Sequence, residues 1–217
     1  MKQDLTDITV VLDRSGSMYR VWTDTIVGFN AFLKTQKEAT GEATFTLVQF
    51  DDKYYVHYRG KNIQEVPDLD NETYVPRGGT ALLDAIGRTI NETGQRLAAL
   101  AESDRPSKVI FVILTDGEEN ASKEFRKDKI NEMITHQTEK YQWDFVFLGA
   151  NQDAIKTGSS MGIMAGNSMT YAANSIGTVS AFKTISSTMS SYRSGNTAVK
   201  TQFFSEEDRG KQKVAGA

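Results

Sequence analysis

The stretch Val10-Val11-Leu12-Asp13-Arg14-Ser15-Gly16-Ser17-Met18 decides the fold. An apolar run ends abruptly in an acid, two hydroxyls and a glycine. Ile8, Val10, Val11 and Leu12 read as a strand buried on both faces, the pattern of a central strand in a parallel sheet. Asp13 falls where that strand emerges. Ser15-Gly16-Ser17 then make a tight loop with a hydroxyl at every second position. In an open α/β sheet, ligands bind in the crevice beyond the carboxyl ends of the strands. Oxygen donors there, with one negative charge, suit a hard divalent cation.

Two further stretches lead to the same place. Lys108-Val109-Ile110-Phe111-Val112-Ile113-Leu114-Thr115-Asp116-Gly117 repeats the pattern of apolar run, acid and glycine. Two such strands side by side bring Asp13 and Asp116 to one sheet edge. Between them, Arg77-Gly78-Gly79-Thr80-Ala81-Leu82 offers close backbone packing and one more hydroxyl at the start of a helix. Asp13, Ser15 and Ser17, with Thr80 in its Gly-Gly-Thr context and Asp116 in Thr115-Asp116-Gly117, resemble the metal-ion-dependent adhesion site of von Willebrand factor A domains. Each position of that motif is filled in this sequence. By element pattern the resemblance runs from roughly Thr6 to Tyr192.

The rest of the chain fits that frame. Trp22, Ile26, Phe29 and Leu33 mark one face of a helix over Val21 to Lys37. Ala43–Phe50 reads as a strand, and Lys53–Arg59 returns as an antiparallel edge strand with charged ends. Leu83, Ile86, Ile90, Leu97 and Leu100 predict a helix ending near Ser103, with Pro106 separating it from a Val109–Thr115 strand. Ser122 is placed to cap a helix carrying Phe125, Ile130, Met133 and Ile134. Trp143–Gly149 is a strand, Asp153–Met161 a short helix, Ser168–Tyr171 a short strand, and Thr178–Arg193 the last helix. Strands alternating with helices imply an α/β, Rossmann-like, doubly wound fold: a mostly parallel central sheet, one antiparallel edge strand, and helices on both faces. The domain is expected over 1–195. The remainder, 196–217, is polar apart from Val199, Phe203, Phe204 and Val214. It reads as a flexible, frayed tail, with docking of Phe203-Phe204 as the alternative.

Composition narrows the function classes. The 217 residues carry 39% apolar residues, a net charge of −3 and no cysteine. Disulfides and thiolate metal sites are excluded. The mild acidity gives no electrostatic reason to expect nucleic-acid or membrane partners. No apolar stretch is long enough to span a bilayer, and no leader is visible near Met1, so a cytoplasmic location is expected. There is no Walker loop or dinucleotide fingerprint. The aromatic strand Lys53–Arg59 is explained by alternating sheet faces rather than by base stacking.

Asp13 and Asp116 supply two negative charges, and Ser15, Ser17 and Thr80 neutral oxygens. That set balances a divalent ion and leaves coordination positions over. The cofactor expected is Mg2+, with Mn2+ or Ca2+ as alternatives. The resemblance implies that the hydroxyls coordinate directly, that the aspartates act partly through water, and that the ion accepts an Asp or Glu from a protein partner. It also implies, in some relatives, displacement of the last helix when ligand binds. Asp24–Leu33 and Gly78–Gly87 look like the standalone bacterial and phage members, which points to an assembly or accessory role.

The alternative function is a metal-dependent, phosphatase-like hydrolase using Asp13. No catalytic constellation supports it: His57 lies on the edge hairpin and His136 on a surface helix, while Glu118 and Glu119 read as a solvated loop, with tuning of the metal or service as a base as the alternative. Arg14 is expected either to pair with Glu118 or Glu119 or to steer an acidic partner.

Overall fold

The apolar runs form six strands in the computed structural model, which describes residues 1–150, 152–195 and 202–215. They are β1 (Lys2–Asp13), β2 (Glu42–Phe50), β3 (Tyr54–Asn62), β4 (Pro106–Thr115), β5 (Asp144–Ala150) and β6 (Ser168–Tyr171). Their order across the sheet is β3-β2-β1-β4-β5-β6. Only β3 is antiparallel, to β2. Chain order reverses at β1, with β2 on one side of it and β4 on the other. That reversal is the switch point at which open α/β sheets present a ligand crevice.

The helices are α1 (Trp22–Glu38), α2 (Leu82–Ala98), α3 (Lys127–Tyr141), α4 (Ala154–Ser160), α5 (Ser175–Ser194) and α6 (Glu206–Ala215). Alternation of side chains along β1 divides the core in two. Ile8, Val10 and Leu12 join Phe29 and Leu33 of α1 and Phe182 and Ile185 of α5. Val11 points to the opposite core, with Ile86 of α2, Ile130 of α3 and Ala154 of α4. A strand apolar on both faces is therefore covered on both faces. No described helix is long and apolar enough to cross a membrane.

Several local expectations are corrected. Pro106 opens β4 instead of preceding it, a position where its missing N–H is tolerated. Helix α2 stops at Ala98, and Ser103 lies in a separate 3-10 turn. Helix α3 starts at Lys127, so Ser122 does not cap it and Phe125 lies outside it. The Ser122 hydroxyl instead accepts the Asp84 N–H in the first turn of α2, at 3.0 Å.

The C-terminal stretch is packed rather than frayed over 202–215. Phe203 and Phe204 are buried in the α1–α5 core, and the Phe203 ring lies 5.6 Å from that of Tyr192. The Phe204 N–H donates to Gly166 O at 3.0 Å. Arg209 of α6 donates to Ala165 O at 2.8 Å, and Asn174 donates to Ala215 O at 2.7 Å. Val199 lies outside the described residues. Burial of two phenylalanines makes this segment part of the fold. Phe204→Ala is expected to cost about 3 kcal/mol of stability in urea denaturation; a change within error would contradict the packing.

Candidate metal centre

Asp13 is the last residue of β1, and Thr115 the last of β4. Leu12 and Leu114 are register partners, so the two side chains stand abreast at the sheet edge. One Asp13 carboxylate oxygen accepts the Ser15 N–H at 2.6 Å, and the other accepts the Thr115 hydroxyl at 2.5 Å. The Ser15 and Ser17 hydroxyls are 3.1 Å apart. Ser17 in turn donates to Asp116 Oδ1 at 2.5 Å. A Cβ on Gly117 would sit 3.3 Å from Ser17 Oγ and 3.4 Å from Thr80 Oγ1. Both hydroxyls thus border the space that this glycine leaves open. All five sequence-identified residues converge at one end of the sheet.

Loops hold this arrangement by backbone stitches. Gly16 N–H donates to Gly78 O at 3.1 Å, and Arg77 N–H to Arg14 O at 2.8 Å. Thr80 O accepts the Asn120 and Ala121 N–H groups, and Asn120 Oδ1 accepts the Thr80 N–H at 2.9 Å. Below the site, the buried Tyr74 hydroxyl donates to Asp13 O at 2.6 Å and that of Tyr171 to Thr115 O at 3.4 Å. These partners carry no motif of their own, and nothing in the local sequence distinguished them.

The electrostatics are unusual at Asp13. Burial pushes its carboxyl up to about 7, against the opposing hydrogen bonds from Thr115 and Ser15. Burial also raises Asp116, opposed by the Ser17 hydrogen bond and the charge of Arg20. Two other buried acids have cations: Asp7 has Arg96 at 2.8 Å, and Asp51 has Arg14 and Arg77, each at 3.1 Å. Among the described residues, no Lys, Arg or His makes a salt bridge to Asp13. Nor do these residues hold a cluster of three or more His, Asp or Glu side chains suited to a metal. The site combines two carboxylates with hydroxyls instead. All-oxygen donors with two negative charges fit a hard divalent cation and not a soft one.

Other expectations are revised. Arg14 does not pair with Glu118 or Glu119; it is buried on Asp51 and stacks on the Tyr55 ring at 3.8 Å. Glu119 is no free loop acid. It accepts the Leu83 N–H at 2.9 Å and the Ser122 N–H at 2.7 Å, tying the loop to the start of α2. Asp84 ties the same loop by accepting the N–H groups of Lys123, Glu124 and Phe125. Glu118 is exposed. His57 sits on β3, and His136 on α3 lines a groove with Met1 and Trp143 at the opposite end of the strands.

The sequence matches the family model of the von Willebrand factor type A domain over residues 7–186. The chain belongs to this family. Domains of this family are adhesion and protein-interaction modules. Among solved structures, the VWA chain is similar to the vWF domain of the type V pili tip protein Mfa5 from Porphyromonas gingivalis. The TM-score is 0.63 at 11% identity, covering 93% of this chain and 100% of that one. It is also similar to proximal thread matrix protein 1 from the mussel byssus, with a TM-score of 0.60 at 14% identity, covering 84% of this chain and 47% of that one. A second structure of the mussel protein has a zinc-occupied MIDAS motif, with a TM-score of 0.58 at 15% identity, covering 84% of this chain and 47% of that one. This VWA chain thus spans about half the length of the mussel protein. At such identities the likeness shows the fold. No curated protein matches the sequence significantly.

The raised Asp13 carboxyl sets a pH dependence. It takes up its proton near pH 7 in the folded protein and near pH 4 in the unfolded chain. The folded state therefore binds the extra proton between those values, and this group adds stability as pH falls from about 8 to about 5. Urea midpoints in EDTA are expected to show that gain in the wild type and to lose it in Asp13→Asn. An equal gain in the variant would contradict the assignment.

Proposed function

We propose that this VWA domain is a divalent-metal-dependent protein-binding module with an assembly or accessory role. Asp13, Ser15, Ser17, Thr80 and Asp116 would hold the ion, Mg2+ in the first instance. The observation that carries this reading is the oxygen cluster at the β1–β4 switch point, built around a buried Asp13 that makes no salt bridge to a cationic side chain among the described residues. An ion held there supplies an electrophilic centre with coordination positions left for a partner's Asp or Glu. The chain's own part is to hold the donors in place. Thr115 and the Ser15 N–H orient Asp13, and Ser17 orients Asp116. Asn120 and Ala121 fix the backbone of Thr80. Donors fixed in this way lose little freedom when a cation enters.

Calorimetric titration of Mg2+ tests the proposal. The wild type is expected to show saturable, one-site binding. Thr80→Ala weakens it, and Asp13→Ala abolishes it while circular dichroism stays native. A blocked peptide bearing one aspartate binds the wild type in Mg2+ and is released by EDTA. Equal Mg2+ binding by wild type and Asp13→Ala would overturn the ion site. Peptide binding indifferent to EDTA would overturn its role in recognition.

A further inference from the structure

We infer that Arg77 and Arg14 form a second anion subsite beside the ion site, so that the partner presents two acids spaced acid-x-acid on an extended segment. This inference rests on the proposed function and adds the chemistry of the partner.

The subsite begins one strand over from Asp13. Asp13 and Phe50 are register partners, and Asp51 follows Phe50 at the end of β2, about 5 Å across the sheet. Asp51 is fully buried, and its Oδ2 accepts the Nε–H of both Arg14 and Arg77 at 3.1 Å. Its Oδ1 is taken by the Lys53 N–H at 2.7 Å. Both guanidinium groups also lie over the Tyr55 ring, with their carbons 3.8 Å and 5.4 Å from its centroid. Arg77 donates to the Tyr55 hydroxyl as well. One carboxylate thus anchors two arginines by one nitrogen each, and a tyrosine face flattens them into a shelf.

The charge does not cancel. Two guanidinium groups face one carboxylate, and exposed Lys53 and Asp52 at the neighbouring turn offset each other. One positive charge remains beside a site read as accepting a carboxylate. Gly78 keeps the shelf next to the ion site. Its φ is +69°, and a Cβ there would fall 2.2 Å from Asp52 Oδ1. The Arg77 side chain is 53% exposed and that of Arg14 9%. Arg77 is therefore the group a partner would reach, and Arg14 holds the shelf in place. The other flank differs, since exposed Glu118 and exposed Arg20 offset each other around Asp116 and leave no net positive charge there. The asymmetry places the second acid on the β2 side. Alternate side chains of an extended segment lie about 7 Å apart on one face, which suits two sites on adjacent strand ends.

The test uses two blocked peptides, Gly-Ser-Asp-Gly-Asp-Ser-Gly and the same peptide with one aspartate replaced by asparagine. Affinities are measured by NMR titration of the full chain in Mg2+ and in EDTA. The wild type is expected to prefer the diacid by about fivefold, the size of one charge-assisted contact at a partly exposed arginine. Arg77→Gln should erase that preference while leaving Mg2+ affinity and monoacid binding unchanged. Arg77→Lys should restore part of it, because charge is kept and the planar fork is lost. A preference of equal size in Arg77→Gln, or no preference in the wild type, would overturn the subsite. Monoacid binding that survives EDTA would instead overturn the ion reading, with the arginine preference still read on its own. Failure of both peptides to bind the wild type in Mg2+ would contradict both.

Discussion

A carboxylate withdrawn from water at the end of the central strand is the constraint on which the rest of this structure depends. Elsewhere the chain answers buried acids fully. Asp7 meets Arg96 and the Thr44 hydroxyl, Asp51 meets two arginines, and Asp84 accepts three backbone N–H groups. Asp13 has hydrogen bonds from Ser15 and Thr115 but no salt bridge among the described residues, and burial raises its carboxyl against them. Leaving a buried charge uncompensated works against folding. Such an arrangement is the kind found at functional sites, and it is the ground for the ion site proposed above.

The surroundings oppose collapse of that site. Hydrogen bonds from Tyr74 and Tyr171 hold the ends of β1 and β4, and Glu119 and Asp84 bind the loop after Asp116 to α2. The helix that family resemblance would have move, α5, is tied at both ends. Lys108 donates to the carbonyls of Tyr192, Arg193 and Gly195 at 2.8, 3.1 and 2.7 Å. Ser175 donates to Asp24 at 2.5 Å at the other end. Displacing α5 means breaking these contacts and those of the buried Phe182 and Ile185, so a ligand that moved it would need a matching difference in affinity.

Much of the fold was legible from periodicity. A strand apolar at Val10, Val11 and Leu12 needs cover on both sides, which leaves few choices besides a doubly wound sheet. The convergence of the five oxygen-bearing residues was legible for a related reason: hydroxyls and acids abruptly following such strands fall at the crevice. What escaped lay in long-range partners. Arg14 looked free to face Glu118, because nothing in the sequence ties it to Asp51, 37 positions away. Ser122 had the look of a helix cap, yet its hydroxyl serves the N-terminus of a different helix. The polar stretch around Phe203-Phe204 lacked periodicity, and only tertiary burial of two rings accounts for its order.

Paramagnetic broadening by Mn2+ in the amide spectrum tests the central claim most directly, because it reports position as well as binding. Substoichiometric Mn2+ should first erase the amide signals of Ser15, Gly16, Ser17, Thr80 and Gly117, with excess Mg2+ restoring them. Broadening centred elsewhere, or spread evenly over exposed acids such as Glu206 and Glu207, would contradict an ion site at the end of β1.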